Sequence, residues 1–194
     1  MIETRAATKA ELSALLVEIQ KCTRGLTTAL YGKNGLRTRL LRPKSSAGLS
    51  ACTVAILSQQ VVGHCYGYDL EKVANEKLDR YIVPSSRYII KPFRELRVPN
   101  SWYISSVWVS EDYRDRGVGT ALLRSAALEA ERAGIGVVSL HAYSVNDGAI
   151  RLYTRLGFSI LGSAPLPVHP DMSVTGGLYL MACEARKLAI PHRH

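Results

Sequence analysis

Two glycines and two arginines in the segment 103–120, Tyr-Ile-Ser-Ser-Val-Trp-Val-Ser-Glu-Asp-Tyr-Arg-Asp-Arg-Gly-Val-Gly-Thr, are spaced to hold an anion. The run is β-branched and aromatic up to Val109, turns through Arg114-x-x-Gly117-x-Gly119, and passes into an amphipathic helical run over residues 121–133. The amides of Arg116, Gly117, Val118, Gly119 and Thr120 fall in the last loop residues and first helical turn. There N–H groups have no intrahelical acceptor and the helix dipole favours negative charge. Gly117 and Gly119 lack a Cβ, which lets a ligand come close to the backbone, and Arg114 and Arg116 add charge. Such a cradle suits a phosphate or pyrophosphate. It is not a dinucleotide fingerprint, because Leu122 stands where the third glycine belongs, and it has no Walker lysine.

The neighbouring elements must position that cradle. A strand over 103–109, a helix over 119–133 stopped by Gly134 as its C-cap, and a strand over 136–143 make a strand, crossover helix and strand unit. That order implies a parallel pair, with a ligand site at the carboxyl ends of the two strands. Next comes Ser144-Val-Asn-Asp-Gly-Ala-Ile-Arg-Leu-Tyr-Thr-Arg-Leu-Gly-Phe158. Asn146 or Ser144 can cap a helix whose Ala149, Leu152, Tyr153 and Leu156 share one side, and Gly157-Phe158 fits its stop.

Arg114-x-x-Gly117-x-Gly119 resembles the acetyl-CoA pyrophosphate loop of the GNAT superfamily of N-acetyltransferases. Asn146-x-x-Ala149-x-x-x-Tyr153-x-x-x-Gly157-Phe158 resembles a later motif of the same superfamily, in the right order and at the right separation. The resemblance implies an α/β fold: a mixed, mainly antiparallel sheet with a V-shaped split between its two central parallel strands, flanked by helices. It implies acetyl-CoA as cosubstrate, no metal, and transfer of the acetyl group to the primary amine of a small molecule, amino acid or peptide by direct attack in a ternary complex. Carried over residue by residue, it puts the phosphates on Arg114, Asp115, Arg116, Gly117, Val118, Gly119 and Thr120. The strand 106–109 would be bulged, and its backbone at Val107, Trp108 and Val109 would take the pantetheine arm, most directly through Val107 and Val109. Asn146, with Ala149, would touch that arm, and the Tyr153 hydroxyl would protonate the departing thiolate. The alternative for Tyr153 is a core aromatic on an amphipathic helix.

The general base is where the chain departs from the commonest family pattern, since the strand 103–109 carries no carboxylate. Glu95, Asp69, His64 and His141 are the candidates, or a water chain through Tyr66, Ser105 or Ser106. The missing carboxylate and the basic charge keep a second class of function open: a catalytically weak CoA-binding module, regulatory or associated with nucleic acid.

In a chain of 194 residues, 47% hydrophobic and 21% charged, the expectation is one globular domain, over residues 1–186, with a frayed basic tail at 187–194. No apolar run reaches the roughly 18 residues of a membrane span. With no leader pattern at Met1-Ile2-Glu3-Thr4-Arg5, a cytoplasmic location is expected. Cys22, Cys52, Cys65 and Cys183 are scattered, which favours buried thiols over disulfides, zinc or a Cys65 nucleophile. Lys and Arg number 25 against 16 Asp and Glu, a formal +9. Such a charge attracts polyanions, CoA included, but no tract of five basic residues points to nucleic acid. A homodimer is allowed.

The rest of the chain reads as a strand over 2–5 and a helix over 9–21 opened by the capping box Thr8-Lys-Ala-Glu11. Residues 23–43 read as helix and loop broken near Gly32, and 43–50 as a flexible surface loop. The runs 53–57 and 61–68 make an antiparallel hairpin, in which Gly63 and Gly67 mark a bulge, a close approach or an edge strand. Residues 69–100 form a long charged segment with three prolines on the acceptor side, and 159–162 and 178–184 are closing strands around the loop 164–177. Arg87, Lys91, Arg94 and Arg97 favour an acceptor with an acidic group over a polycation.

Overall fold

Strand-forming runs and amphipathic helices alternate along the chain, and the computed structural model describes them over residues 1–76 and 78–190, the side chains at 78 and 79 excepted. In chain order they are β1 (Glu3–Ala6), α1 (Leu12–Cys22), α2 (Leu26–Leu40), β2 (Cys52–Leu57), β3 (Gln60–Asp69), α3 (Leu70–Asn75) and α4 (Arg87–Glu95). There follow β4 (Trp102–Val109), α5 (Val118–Arg132), β5 (Val137–Tyr143), α6 (Asp147–Arg155), β6 (Ser159–Pro165), β7 (Gly177–Glu184) and α7 (Ala185–Ala189). The strands form one sheet in the order β1-β2-β3-β4-β5-β7-β6. Every neighbouring pair is antiparallel except β4 and β5, which the crossover through α5 makes parallel.

That parallel pair is short. It holds from Trp102 opposite Val138 to Ile104 opposite Leu140, whereas β4 stays paired with β3 as far as Val109 opposite Gly63. Ser105 is the cause: Tyr66 faces Ser106 and Gly67 faces Ile104, so Ser105 is an extra residue that bulges β4. The strands part directly beyond it. The expected split in the sheet is therefore present and begins at a named residue.

Each face of the sheet has its own core. Leu122, Leu123, Ala126, Ala127 and Ala130 of α5 pack with Val62, Ile104, Val138 and Leu140 on one face, joined by Ala185 and Leu188 of α7. Leu12, Leu15 and Ile19 of α1 pack with Val54, Tyr66 and Tyr68 on the other. The helix expected at 9–21 is a short 3-10 turn followed by α1, opened by the capping box of Thr8 and Glu11. The hairpin turns through Ser58 and Gln59, both at positive φ, as a two-residue connection demands.

The break expected near Gly32 is present: α2 is two helical pieces that meet at a kink there, at φ 64° and ψ −172°. Three expectations change. The stretch 43–50 is no flexible loop: Ser45 and Ala47 are buried. The Glu76 carboxylate accepts from Ser45 Oγ at 2.6 Å and Ser46 N at 2.5 Å, and Tyr66 Oη donates to the Ala47 carbonyl at 2.6 Å. The partners lie far away in sequence, so no local signal announces them. Strand β3 is internal rather than an edge, and a Cβ on Gly63 would sit 2.7 Å from the Trp108 carbonyl oxygen, so that glycine serves strand packing. Of the tail expected to fray over 187–194, residues up to Ala189 belong to α7, with Leu188 buried; residues 191–194 lie outside the described residues.

Candidate active site

Beyond Val109 the chain makes a 3-10 turn over Glu111–Tyr113, passes Asp115 at φ 58° and Gly117 at φ 82°, and enters α5 at Val118. Ala121 N donates to Gly117 O at 3.0 Å, so the amides of Val118, Gly119 and Thr120 precede the first helical bond and have no intrahelical acceptor. Together with the dipole of a 15-residue helix, such free amides favour an anion. The Arg114 amide is engaged elsewhere, donating to Glu111 O at 3.2 Å, and drops out of the expected set. Its guanidinium sits 3.3 Å from the exposed Glu111 carboxylate, and that of Arg116 lies over the Tyr113 ring at 5.6 Å.

The two glycines of the loop are glycine for different reasons. A Cβ on Gly117 would meet nothing nearer than Ile2 Cδ1 at 4.0 Å, so that side is open to a ligand while the backbone itself requires glycine. A Cβ on Gly119 would lie 3.0 Å from Leu152 Cδ2 and 3.9 Å from Val109 Cγ2. Gly119 thus seats α5 against α6, and ligand approach is a property of Gly117 alone.

Past the Ser105 bulge, β4 has one unpaired edge. Ser110 N donates to Val62 O at 2.9 Å, and in an antiparallel ladder alternate residues turn their N–H and C=O to the same neighbour. Trp108 therefore faces β3, while Val107 and Val109 turn their backbone groups to the opening. Trp108 departs from its expected place on the arm, and its ring stacks on His64 with centroids 5.9 Å apart.

A cavity of about 630 Å³ occupies the opening. Ser105, Ser106, Val107, Asn146, Ala149 and Tyr153 stand on its wall, whereas Trp108, Val109 and the 114–120 loop lie past its end. Asn146 Oδ1 accepts from Ala149 N at 3.3 Å, so it is the cap of α6, in preference to Ser144. Tyr153 is buried beside Phe158, ring centroids 5.7 Å apart, and burial pushes its hydroxyl well above the usual phenol range. A phenol that keeps its proton can donate one. Cys22 is also on this wall; burial pushes its thiol up to about 12, and it is half-buried rather than fully buried, as is Cys183.

The base candidates separate cleanly. Glu95 is exposed on α4, 3.8 Å from Lys91, and faces a second groove; Asp69 caps α3, accepting from Glu71 N and Lys72 N. His64 is buried behind Ser106, with Nε2 3.3 Å from Ser106 Oγ. His141 faces the cavity. Its Nε2 donates to the Leu96 carbonyl at 2.7 Å, which leaves Nδ1 to accept from the Tyr103 hydroxyl at 3.0 Å. Burial pulls both imidazoles down to about 4, so both are neutral at physiological pH. Of the water-chain groups, Ser105 and Ser106 reach the cavity and Tyr66 does not. Among the described residues on its wall, none is a carboxylate. No cluster of three or more His, Cys, Asp or Glu able to hold a metal occurs among the described residues, and no described helix is long and apolar enough to cross a membrane.

One group on the wall went unread in the sequence: Arg39 of α2, enclosed by Tyr31, Tyr66 and Tyr68. Its one local signal is a basic residue set between Leu36 and Leu40 on a helix face that is otherwise buried.

A seven-stranded sheet split beside a bulge, with a helix N-terminus at the end of the open strand, defines an α/β class with a cavity between two parting strands. Residues 35–158, more than half of the chain, match the Acetyltransferase (GNAT) family, and the chain belongs to that family. It is 44% identical over 55 residues to an uncharacterised N-acetyltransferase, MJ1207, of Methanocaldococcus jannaschii, covering 28% of this chain and 24% of that protein. It is 27% identical over 92 residues to L-ornithine N5-acetyltransferase NATA1 of Arabidopsis thaliana, covering 47% and 40%. The chain thus spans less than half the length of these curated relatives. Among solved structures, an N-acetyltransferase from Staphylococcus aureus Mu50 superposes with a TM-score of 0.67 at 16% identity, over 93% of this chain and 100% of that one. The ribosomal-protein-S18-alanine N-acetyltransferase of Escherichia coli gives 0.60 at 15%, over 95% and 94%. These likenesses show the fold.

Proposed function

We propose that this chain is an acyltransferase that moves an acetyl group from acetyl-CoA to the primary amine of a small molecule, amino acid or peptide, by direct attack in a ternary complex. One observation carries the reading: β4 leaves β5 beyond Ile104 with the backbone of Val107 and Val109 facing the gap, Tyr153 on its wall and the α5 cradle at its end.

Each residue then has a defined task. The amides of Val118, Gly119 and Thr120, with Gly117 open beside them, hold the pyrophosphate. Val107 and Val109 bond the pantetheine arm as a neighbouring strand would, which satisfies backbone groups the split leaves unpaired. The Asn146 amide nitrogen and Ala149 border the arm. The amine nitrogen attacks the thioester carbon, the carbon–sulfur bond breaks, and the thiolate leaves with the Tyr153 proton. The nitrogen loses its own proton to water in the cavity beside Ser105 and Ser106. A buried cavity with the Arg39 cation on its wall disfavours a second positive charge, so the acceptor amine enters neutral and nucleophilic.

The naming of relatives supports the same direction: ornithine is the acceptor named for NATA1, and an Arabidopsis Naa50 of the same fold (TM-score 0.56, 15% identity) is in complex with a bisubstrate analogue containing CoA. A CoA-binding module without turnover is the second reading, favoured by the lack of a cavity carboxylate among the described residues. Free-thiol release from acetyl-CoA against a panel of amino acids, peptides and aminoglycosides separates the two. Release with at least one acceptor is expected; bound acetyl-CoA with no release across the panel removes the enzyme reading.

A further inference from the structure

Arg39 lies between the buried Leu36 and Leu40 and is itself only 5% exposed. Its guanidinium donates to the Tyr31 hydroxyl and lies 5.3, 5.9 and 5.5 Å from the ring centroids of Tyr31, Tyr66 and Tyr68. Ring faces favour a cation but supply no countercharge. Among the described residues no carboxylate lies within ion-pair distance of Arg39, and its Nε has no hydrogen-bond partner. Buried cations are kept in folds where an anion or a full set of acceptors meets them; among the described residues no anion meets Arg39, and the hydroxyls of Tyr31 and Tyr68 leave its Nε unmet. The unmet charge faces the cavity that also carries Tyr153 and Ser106, and Arg97 stands on the same wall.

We propose that Arg39 is a docking point for a carboxylate on the acceptor, and that the acceptor is a small free amino acid. Its carboxylate pairs with the guanidinium inside the tyrosine cage, and its amine lies toward Tyr153 at the split in the sheet. The amine end rests on the acetyltransferase reading; the carboxylate end stands on the geometry of Arg39. Planar guanidinium and carboxylate groups match in shape and charge, which gives the site both strength and direction. A cavity of about 630 Å³ that must also admit the end of the pantetheine arm suits a small molecule rather than a long peptide. A polyamine or aminoglycoside would bring further cations to a buried cation.

The test is a calorimetric titration of the CoA-saturated protein with amino acids bearing one to four carbons between amine and carboxylate, and with the primary amide of each. At least one acid is expected to bind about tenfold or more tightly than its amide. That difference should vanish in Arg39→Met, which keeps most of the volume and removes the charge, and survive in part in Arg39→Lys. The comparison of acid with amide in the unaltered chain needs no variant to fold. Equal binding of acid and amide, no binding of any acid up to about 10 mM, or a preference that persists in Arg39→Met overturns the proposal. Thiol release in the same panel reports on the activity separately: an acid that binds in an Arg39-dependent way without release leaves the carboxylate site standing and removes the acetyltransferase.

Discussion

The β4–α5 side of the cavity and the α2–α4 side work through different parts of the chain. On the first, the open edge of β4 and the first turn of α5 present backbone groups, and the side chains nearby serve packing: Gly119 fits against Leu152, and Trp108 stacks on His64. On the second, a buried guanidinium, four tyrosines and an imidazole stand together through their side chains, drawn from α2, β3, β4 and β5. Backbone chemistry at a helix start leaves a spaced glycine signature within one segment. Side-chain chemistry assembled across the sheet leaves none, so two chains can share the first side while differing on the second.

The strongest way to break this contrast is Gly117→Glu. It places a negative charge where the pyrophosphate is to bind and a side chain at φ 82°, so acetyl-CoA affinity should fall on the order of 100-fold or more while the fold persists. Calorimetry together with circular dichroism reads both, and unchanged affinity would move the cradle elsewhere. Tyr153→Phe comes next. It keeps the ring against Phe158 and removes a hydroxyl used only as sulfur becomes negative, so turnover should drop roughly 10²-fold, the low end for general acid assistance, with acetyl-CoA affinity nearly unchanged. Near-normal turnover with CoA bound would return Tyr153 to a packing role.

Acid tests one buried imidazole on each side, His64 against Trp108 and His141 on the cavity wall. His64 and His141 stay neutral in the fold down to about pH 4, against an ordinary 6.5, so between those values the unfolded chain takes up protons that the fold refuses. Stability is therefore full above pH 6.5 and lost as pH falls toward 4, by up to roughly 3 kcal/mol per ring. Urea unfolding at several pH values checks this, and a flat profile from pH 7 to 4.5 would mean that the rings are not desolvated. The smallest effect separates the two loop glycines: Gly117→Ala should cost ~1–2 kcal/mol for its left-handed backbone, while Gly119→Ala, meeting a flexible Leu152 methyl, should stay within ~1 kcal/mol of the unaltered chain. Equal losses at both would deny them different roles.

The same contrast explains what was legible. The strand, cradle, helix and strand unit, the Asn146 cap and the Gly157 stop were readable because each depends on neighbours in sequence. A bulge in 106–109 was expected from the family resemblance, and the register places it one residue earlier, at Ser105. Arg39 was not readable, since its burial depends on Tyr66 and Tyr68 two elements further on. Nor was the packing of residues 43–50, fixed by Glu76 some 30 positions away. Local patterns also led to errors, as with the tail, where Ala185 and Leu188 meet the α5 core and override a basic composition.

Residue-resolved amide hydrogen exchange with and without desulfo-CoA tests the central claim, that an open edge of β4 and the start of α5 receive the cosubstrate. The account predicts that the amides of Val107, Val109, Val118, Gly119 and Thr120 gain protection on binding, while Ser110, already bonded to Val62, does not change. Saturating ligand that leaves those five amides unprotected, or protects a different strand edge, would contradict it.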